Sequence, residues 1–345
     1  MKNKILSIIK YLFFISIGVG LFWLAVKDAD FDKIKIEFQN ANYIWIVITI
    51  IPMLVSHLFR ALRWNQLLET LDYKTKKAPT FYAILIGYFV NLAVPRLGEI
   101  TRCGVVAKQY KMPVNSVIGT VIAERAFDML SLIIIIFITI ITQLNLLNDF
   151  LLGYYNKFIE PVFSKFYNGT NAFYIIAGVL IGLFIAIYII YRALLPLLRK
   201  LKIFHKIIDL IKGFWVGIKT IKNVKNKKLF IFYSIAMWTL YATTMYISFM
   251  ALNSTKHLSF IDAITLMSIG SIGALAPTPG GIGAYQYVLM FTMIGVFSIA
   301  KSSAFSYANI VYFTQWFMFI IFGGLSWIML IISQKNELKQ QDLLK

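Results

Sequence analysis

The 345 residues predict an all-α protein that crosses a bilayer several times, on three grounds. Apolar residues make up 59% of the chain before glycine is added, against about 45–50% with glycine in soluble domains. Charged residues are only 14%, against a usual figure of about 25%, and mean hydropathy is +0.74. The apolar residues also gather in runs near the ~20 that a helix needs to span hydrocarbon. A water-soluble enzyme cannot hide that much apolar surface, and an aromatic content of 16% excludes a disordered chain.

Six full spans and two interrupted hairpins follow in order. Span 1 is Ile5 to Val26, behind Lys2 and Lys4; its run is longer than that of a signal peptide and lacks a small-residue cleavage site, so it reads as a retained anchor. Residues 27–42 read as a loop of net charge −1, and span 2 runs from about Tyr43 to Trp64. The first hairpin, 79–112, is two short apolar runs around the polar string from Pro95 to Arg102. Span 3 is Val114 to Gln143, and a near-neutral loop, 144–171, leads to span 4, Ala172 to Tyr191. Residues 192–228 carry 11 Lys or Arg and one Asp. Within them Leu197, Leu201, Phe204, Ile208, Ile211, Trp215 and Ile218 recur at three or four, as in a basic helix lying in the lipid interface. Span 5 is Leu229 to Leu252. The second hairpin, 260–300, is interrupted at Pro277-Thr278-Pro279-Gly280-Gly281-Ile282-Gly283, and span 6 is Ser303 to Ile332.

Lys and Arg concentrate in loops that alternate in side, so the positive-inside rule places both termini in the cytoplasm; the membrane expected is the cytoplasmic (inner) one. The same distribution accounts for the net charge of +19 without nucleic acid, for which no recognition module is present. Residues 1–345 then form a single integral membrane domain. Repeat one, about 5–143, starts inside and repeat two, about 172–332, starts outside, an inverted-topology repeat of the kind secondary transporters use. Whether each hairpin is re-entrant or fully crossing leaves this topology unchanged.

Irregular backbone at membrane depth survives only where protein buries it or where it lines a wet cavity. The hairpin breaks, marked by Pro95 and Gly98 in one half and by Pro277, Pro279, Gly280, Gly281 and Gly283 in the other, therefore point to one polar cavity between the halves. The alternative is that Pro and Gly merely make the turns. Candidate lining residues are Asn91, Arg96, Glu99, Arg102, Glu124, Arg125 and Asp128, with Tyr285 and Gln286 after the second break. An ionised group at the bilayer centre costs roughly 2.5–3.5 kcal/mol on insertion scales, so these should face inward. They can bridge to one another, or Arg96, Arg102 and Arg125 can meet a phosphate, which the planar guanidinium fork suits. His57, Arg60 and Arg63 end span 2 beside Trp64. Snorkelling to the cytoplasmic interface is the plainer reading of them, and an inner entrance to the cavity the other. The one cysteine, Cys103, allows no intrachain disulfide; the three histidines, His57, His205 and His257, are far apart, and no metal or cofactor site is expected.

Four strings in this order resemble one family: Arg60-Ala61-Leu62-Arg63-Trp64; Asn91 with Pro95-Arg96-Leu97-Gly98-Glu99 and Arg102; Glu124-Arg125 with Asp128; and Pro277 to Gly283. The family is the lysylphosphatidylglycerol synthase transmembrane family, also called flippase-like, and the resemblance covers about residues 5–332. It implies a stand-alone polytopic membrane protein tied to lipid translocation. In full-length synthases a soluble catalytic domain follows this region; these 345 residues contain none, so synthase activity is not expected. Family members often carry Glu where this chain has Gln286, so a carboxylate role does not transfer to that position. The function expected is a flippase moving a phosphate-bearing lipid, a phospholipid or polyprenyl-linked one, between leaflets. Its partners would be membrane lipids, anionic or phosphate-bearing. The alternatives are a membrane enzyme using Glu99 and Glu124 as acid and base, and a non-transporting envelope-assembly scaffold.

Overall fold

The structure is a computed structural model that describes residues 16–27, 30–144, 152–153, 160, 222–276 and 278–343. Span 4, most of the basic 192–228 segment, the first part of span 1 and Pro277 lie outside the described residues. Among the described residues every regular element is helical. They comprise α1 (Ser16–Val26), α2 (Phe31–Asn40), α3 (Tyr43–Leu68), α4 (Lys77–Ala93), α5 (Leu97–Tyr110), α6 (Val114–Thr142), α7 (Lys227–Phe249), α8 (Phe260–Ala274), α9 (Ala284–Gly295) and α10 (Lys301–Leu343). Four segments are long and apolar enough to cross a membrane: Tyr43–Leu71, Val114–Thr142, Lys227–Phe249 and Lys301–Ser333.

Local chemistry sets the boundaries. Asn42 caps α3 by accepting from the Ile44 N–H, and Asn226 caps α7 by accepting from the Leu229 N–H. Ser259 and Asp262 form a capping box that starts α8. Pro79 sits in the first turn of α4, where its missing N–H would have had no helical partner. Residues 31–40, read from sequence as loop, are the helix α2. Asp30 caps it, and Phe31, Ile34 and Phe38 share one stripe of it. The Lys33 N–H donates to the Asp30 carboxylate, which holds that carboxyl below its ordinary range.

The hairpins are helix pairs around short breaks. Helices α4 and α5 have 17 and 14 residues, and α8 and α9 have 15 and 12, each fewer than the ~20 a full crossing requires. Helix α3 packs chiefly on α7; α4 packs on α5 and on α10; α8 packs on α9, α7 and α6; α10 packs on α9 and α2. Two apolar clusters fill the interior. One joins α7 to α10 with Ile34 and Ile46, around Phe249, Leu289, Tyr307 and Tyr312. The other joins α3 to α6, around Trp64, Leu68, Ile84 and Val106. At the ends of α1 and α2, Lys301 donates to the Lys27 carbonyl and Ser303 to the Glu37 carboxylate, tying this part of the chain to the start of α10.

Candidate functional site

The polar centre grows from helical spacing. Arg60 and Arg63, three apart on α3, share a face, as do Glu124 and Asp128, four apart on α6. Helix α5 adds Arg102. Arg60 reaches Glu124 at 3.2 Å and Asp128 at 3.0 Å. Arg63 reaches Asp128 at 2.5 Å and Glu124 at 3.7 Å, and Arg102 reaches Glu124 at 3.1 Å. Arg63 and Glu124 are fully buried, and Arg60, Arg102 and Asp128 nearly so. Among the described residues three guanidinium groups thus meet two carboxylates, and 3 − 2 leaves one positive charge sealed among the helices.

Aromatic faces replace part of the missing water. The Arg102 guanidinium lies 4.8 Å over Trp64, Arg63 lies between Phe127 and Phe230, and Arg60 lies over Tyr88. Trp64 is held in place by donating its indole N–H to Thr120 at 2.9 Å. The surplus shows in the hydrogen bonds. Among the described residues, Nε of Arg60, Arg63 and Arg102, and Nη2 of Arg102, are buried without an acceptor. Both Glu124 oxygens stand at ion-pair distance from arginines but out of line for a hydrogen bond. Buried donors of this kind are costly to leave unmade.

A more open pair sits beside this cluster. Arg125 donates to Glu99 at 2.8 Å, with both side chains partly exposed. Asn91, at the end of α4, accepts from the Gly98 N–H at 2.7 Å and so satisfies a first-turn donor of α5; its amide lies 3.4 Å from Glu99. Tyr88, Asn91, Glu99, Arg102 and Arg125 line a cavity of about 10 Å³, room for one water. Pro95 lies in the break, whereas Gly98 falls inside α5. A Cβ on Gly98 would run into the Gly87 carbonyl, so the glycine lets α4 and α5 touch. Arg96 is exposed in a left-handed conformation at φ 65°, and it belongs to none of these ion pairs.

The second break is built from Gly280, Gly281 and Gly283, all at positive φ, with Pro279 beside them. Gly283 also meets the Gly18 carbonyl of α1, where a Cβ could not fit. Gln286 accepts from the Gly283 N–H at 2.7 Å and donates to Asn309 at 2.8 Å, so both ends of its buried amide are engaged in holding the turn to α10. Tyr285 accepts from Gln315 at 3.3 Å. These two side chains bond within α9, its turn and α10 and not to the arginine cluster.

The snorkelling expected of Arg60 and Arg63 is corrected by the structure. Both point into the protein, because Glu124 and Asp128 offer a stronger partner than interfacial water. His57, one turn before Arg60, is buried among Tyr88, Tyr241 and Phe319, with Nδ1 unpaired. The signal was present in the sequence: an i, i+3 basic pair and an i, i+4 acidic pair on two adjacent spans. Ser234, which accepts from Arg63 at 3.3 Å, carried no such signal.

The chain is therefore a multi-pass helical membrane protein with an arginine–carboxylate cluster enclosed between its spans and a short helical hairpin. It belongs to the family described as lysylphosphatidylglycerol synthase TM region, which matches residues 7–323. It is similar to UPF0104 membrane protein MJ1078 of Methanocaldococcus jannaschii, 26% identical over 254 residues, covering 73% of this chain and 97% of that one. It is also similar to UPF0104 membrane protein MJ1595 of the same organism, 23% identical over 350 residues, covering 98% of this chain and 97% of that one. No solved structure matches it.

Proposed function

We propose that this protein is a lipid transporter, a carrier rather than a catalyst, which moves a phosphate-bearing lipid between leaflets of the inner membrane with its termini in the cytoplasm. The observation that carries the reading is the sealed 3:2 cluster of Arg60, Arg63 and Arg102 against Glu124 and Asp128, with unfilled N–H donors. A phosphodiester carries one negative charge. Its arrival brings the enclosed charge from +1 to zero, and its oxygens fill the orphan donors in the bidentate geometry that guanidinium favours. A phosphomonoester dianion would overshoot to −1, so the site suits a phosphodiester headgroup better.

Glu99 and Arg125, with Asn91, form the outer polar step towards the cluster, and Arg96 offers the approaching headgroup a further exposed positive charge. His57 closes the opposite flank. The cavity beside Arg102 has room for no more than about one water, so this conformation is the occluded one.

The mechanism is the rocking of two oppositely oriented halves, α3 to α6 and α7 to α10. Packing supports it: α3 lies on α4 as α7 lies on α8, α5 lies on α6 as α9 lies on α10, and α4 meets α10 as α8 meets α6.

The test is headgroup accessibility of a fluorescent phosphatidylglycerol in proteoliposomes. Arg102→Gln should slow its movement at least tenfold, the factor that about 1.4 kcal/mol represents, while Arg102→Lys, which keeps the charge, should slow it less. Equal rates for a well-folded Arg102→Gln protein and wild type would refute the reading.

A further inference from the structure

Beyond the charge cluster lies an apolar groove of about 390 Å³ between α6, α7 and α8. Ile134 and Ile138 of α6 and Ile231 and Ile235 of α7 form its walls and are exposed; Ile264 and Met267 of α8 line its back. We propose that this groove holds one acyl chain of the transported lipid while the phosphate sits at the arginine cluster, so that α6 and α7 frame the lateral port. The inference rests on the transport reading above.

Four observations choose this occupant. The first is continuity. Ser234 lines the groove and accepts from Arg63, and Phe127 lines it beneath the Arg63 guanidinium. One end of an aliphatic trough therefore abuts a buried site with a surplus positive charge, the complement of an anionic amphiphile. The second is length. The groove follows α6 from Phe127 to Ile138 and α7 from Ile231 to Ala242. Each stretch is 12 residues, whose 11 rises of about 1.5 Å span about 16 Å, and half of the ~30 Å hydrocarbon thickness is about 15 Å. The trough is one leaflet long.

The third is size and lining: at about 390 Å³ the groove is within the range of small-molecule pockets, and its walls are almost wholly apolar, which suits an extended aliphatic chain. The fourth is a mismatch between the halves. Helix α3 packs against α10, whereas among the described residues the corresponding pair, α7 and α6, meet chiefly where Phe127 packs on Phe230, and the groove occupies the space between them beyond that contact.

The experiment uses the full chain in nanodiscs containing a phosphatidylglycerol with a diazirine on one acyl chain, followed by irradiation and peptide mapping. Label should concentrate on Ile134, Ile138, Ile231 and Ile235. The double variant Ile134→Trp/Ile235→Trp should lower that labelling about tenfold, the effect of losing about two buried methylenes of contact. It should also slow transport, while headgroup protection of a water-soluble glycerophosphodiester at the cluster stays at the wild-type level.

Label spread equally over the exposed faces of α10, at Phe317 and Ile321, would mean ordinary boundary lipid and would overturn the proposal. So would a full-yield disulfide between Ile235→Cys and Val179→Cys in a Cys103→Ala background, because the chain's own 172–191 segment would then cover the groove. If the tryptophan variant transports normally while Arg102→Gln does not, the groove falls and the headgroup site stands. If Arg102→Gln also transports normally, the transport reading itself has failed.

Discussion

Asp128→Asn is the sharpest probe of the enclosed cluster. The change keeps the shape of the side chain and removes one of two negative charges facing three arginines, so the enclosed charge rises from +1 to +2. Two close contacts weaken, Arg60 at 3.0 Å and Arg63 at 2.5 Å. At an effective dielectric constant of about 20, unit charges ~4 Å apart attract by about 4 kcal/mol. Relief of the like charge on Glu124 returns a part of the two lost attractions. Removing one partner of a buried pair costs about 3–5 kcal/mol in practice, and that is the expected loss here. The assay is equilibrium unfolding in mixed micelles. The double variant Arg63→Met/Asp128→Leu deletes one charge of each sign and leaves the sum at +1, so it should recover most of the loss. Buried ion pairs exchanged for apolar residues of like volume are often neutral or better. Should Asp128→Asn fall within about 0.5 kcal/mol of wild type, the range of ordinary surface changes, the carboxylate is solvated and the sealed-cluster argument fails.

Other consequences can be checked in the same way. Gly98→Ala puts a methyl against the Gly87 carbonyl and should destabilise by about 1–3 kcal/mol through overpacking of α4 on α5, read as a fall in the thermal unfolding midpoint. Trp64→Phe loses the 2.9 Å bond to Thr120 and weakens the surface under Arg102; about 1–2 kcal/mol should be lost, and Thr120→Val in the same background should add little. Asp30 has a carboxyl lowered by the Lys33 N–H and side chain, so its contribution to α2 is present above the ordinary carboxylate value of 3.8 and lost as pH falls through the lower folded value. The protection of the Lys33 and Ile34 amides, taken relative to their intrinsic exchange rates at each pH, should fall on acidification through that window, and Asp30→Asn should flatten the response.

The elements were legible because the bilayer imposes lengths. The apolar runs gave α3, α6 and α7 to within a few residues, and the Pro/Gly strings located both breaks. The exception, α2, shows the limit. Four acids and three lysines between residues 27 and 42 dominate the local composition, and the cap at Asp30 with its short apolar stripe is a weaker signal than a span. Glu124, Asp128 and Arg102 were legible as inward-facing because charge in hydrocarbon is costly. The partners of Arg60 and Arg63 were not, because a basic residue near a helix end has two low-energy solutions, water at the interface or an internal acid. Sequence alone does not say which neighbouring helix brings the acid. The groove was invisible for a related reason: isoleucines that face lipid and isoleucines that line a trough are the same residue on the same stripe.

The meeting of Gly18 with Gly283 bears on how the molecule is made. Two backbones 265 residues apart close on each other with no side chain between them. During synthesis α1 therefore cannot make this contact until the second break, 265 residues later, has been added, so the clasp between them closes late.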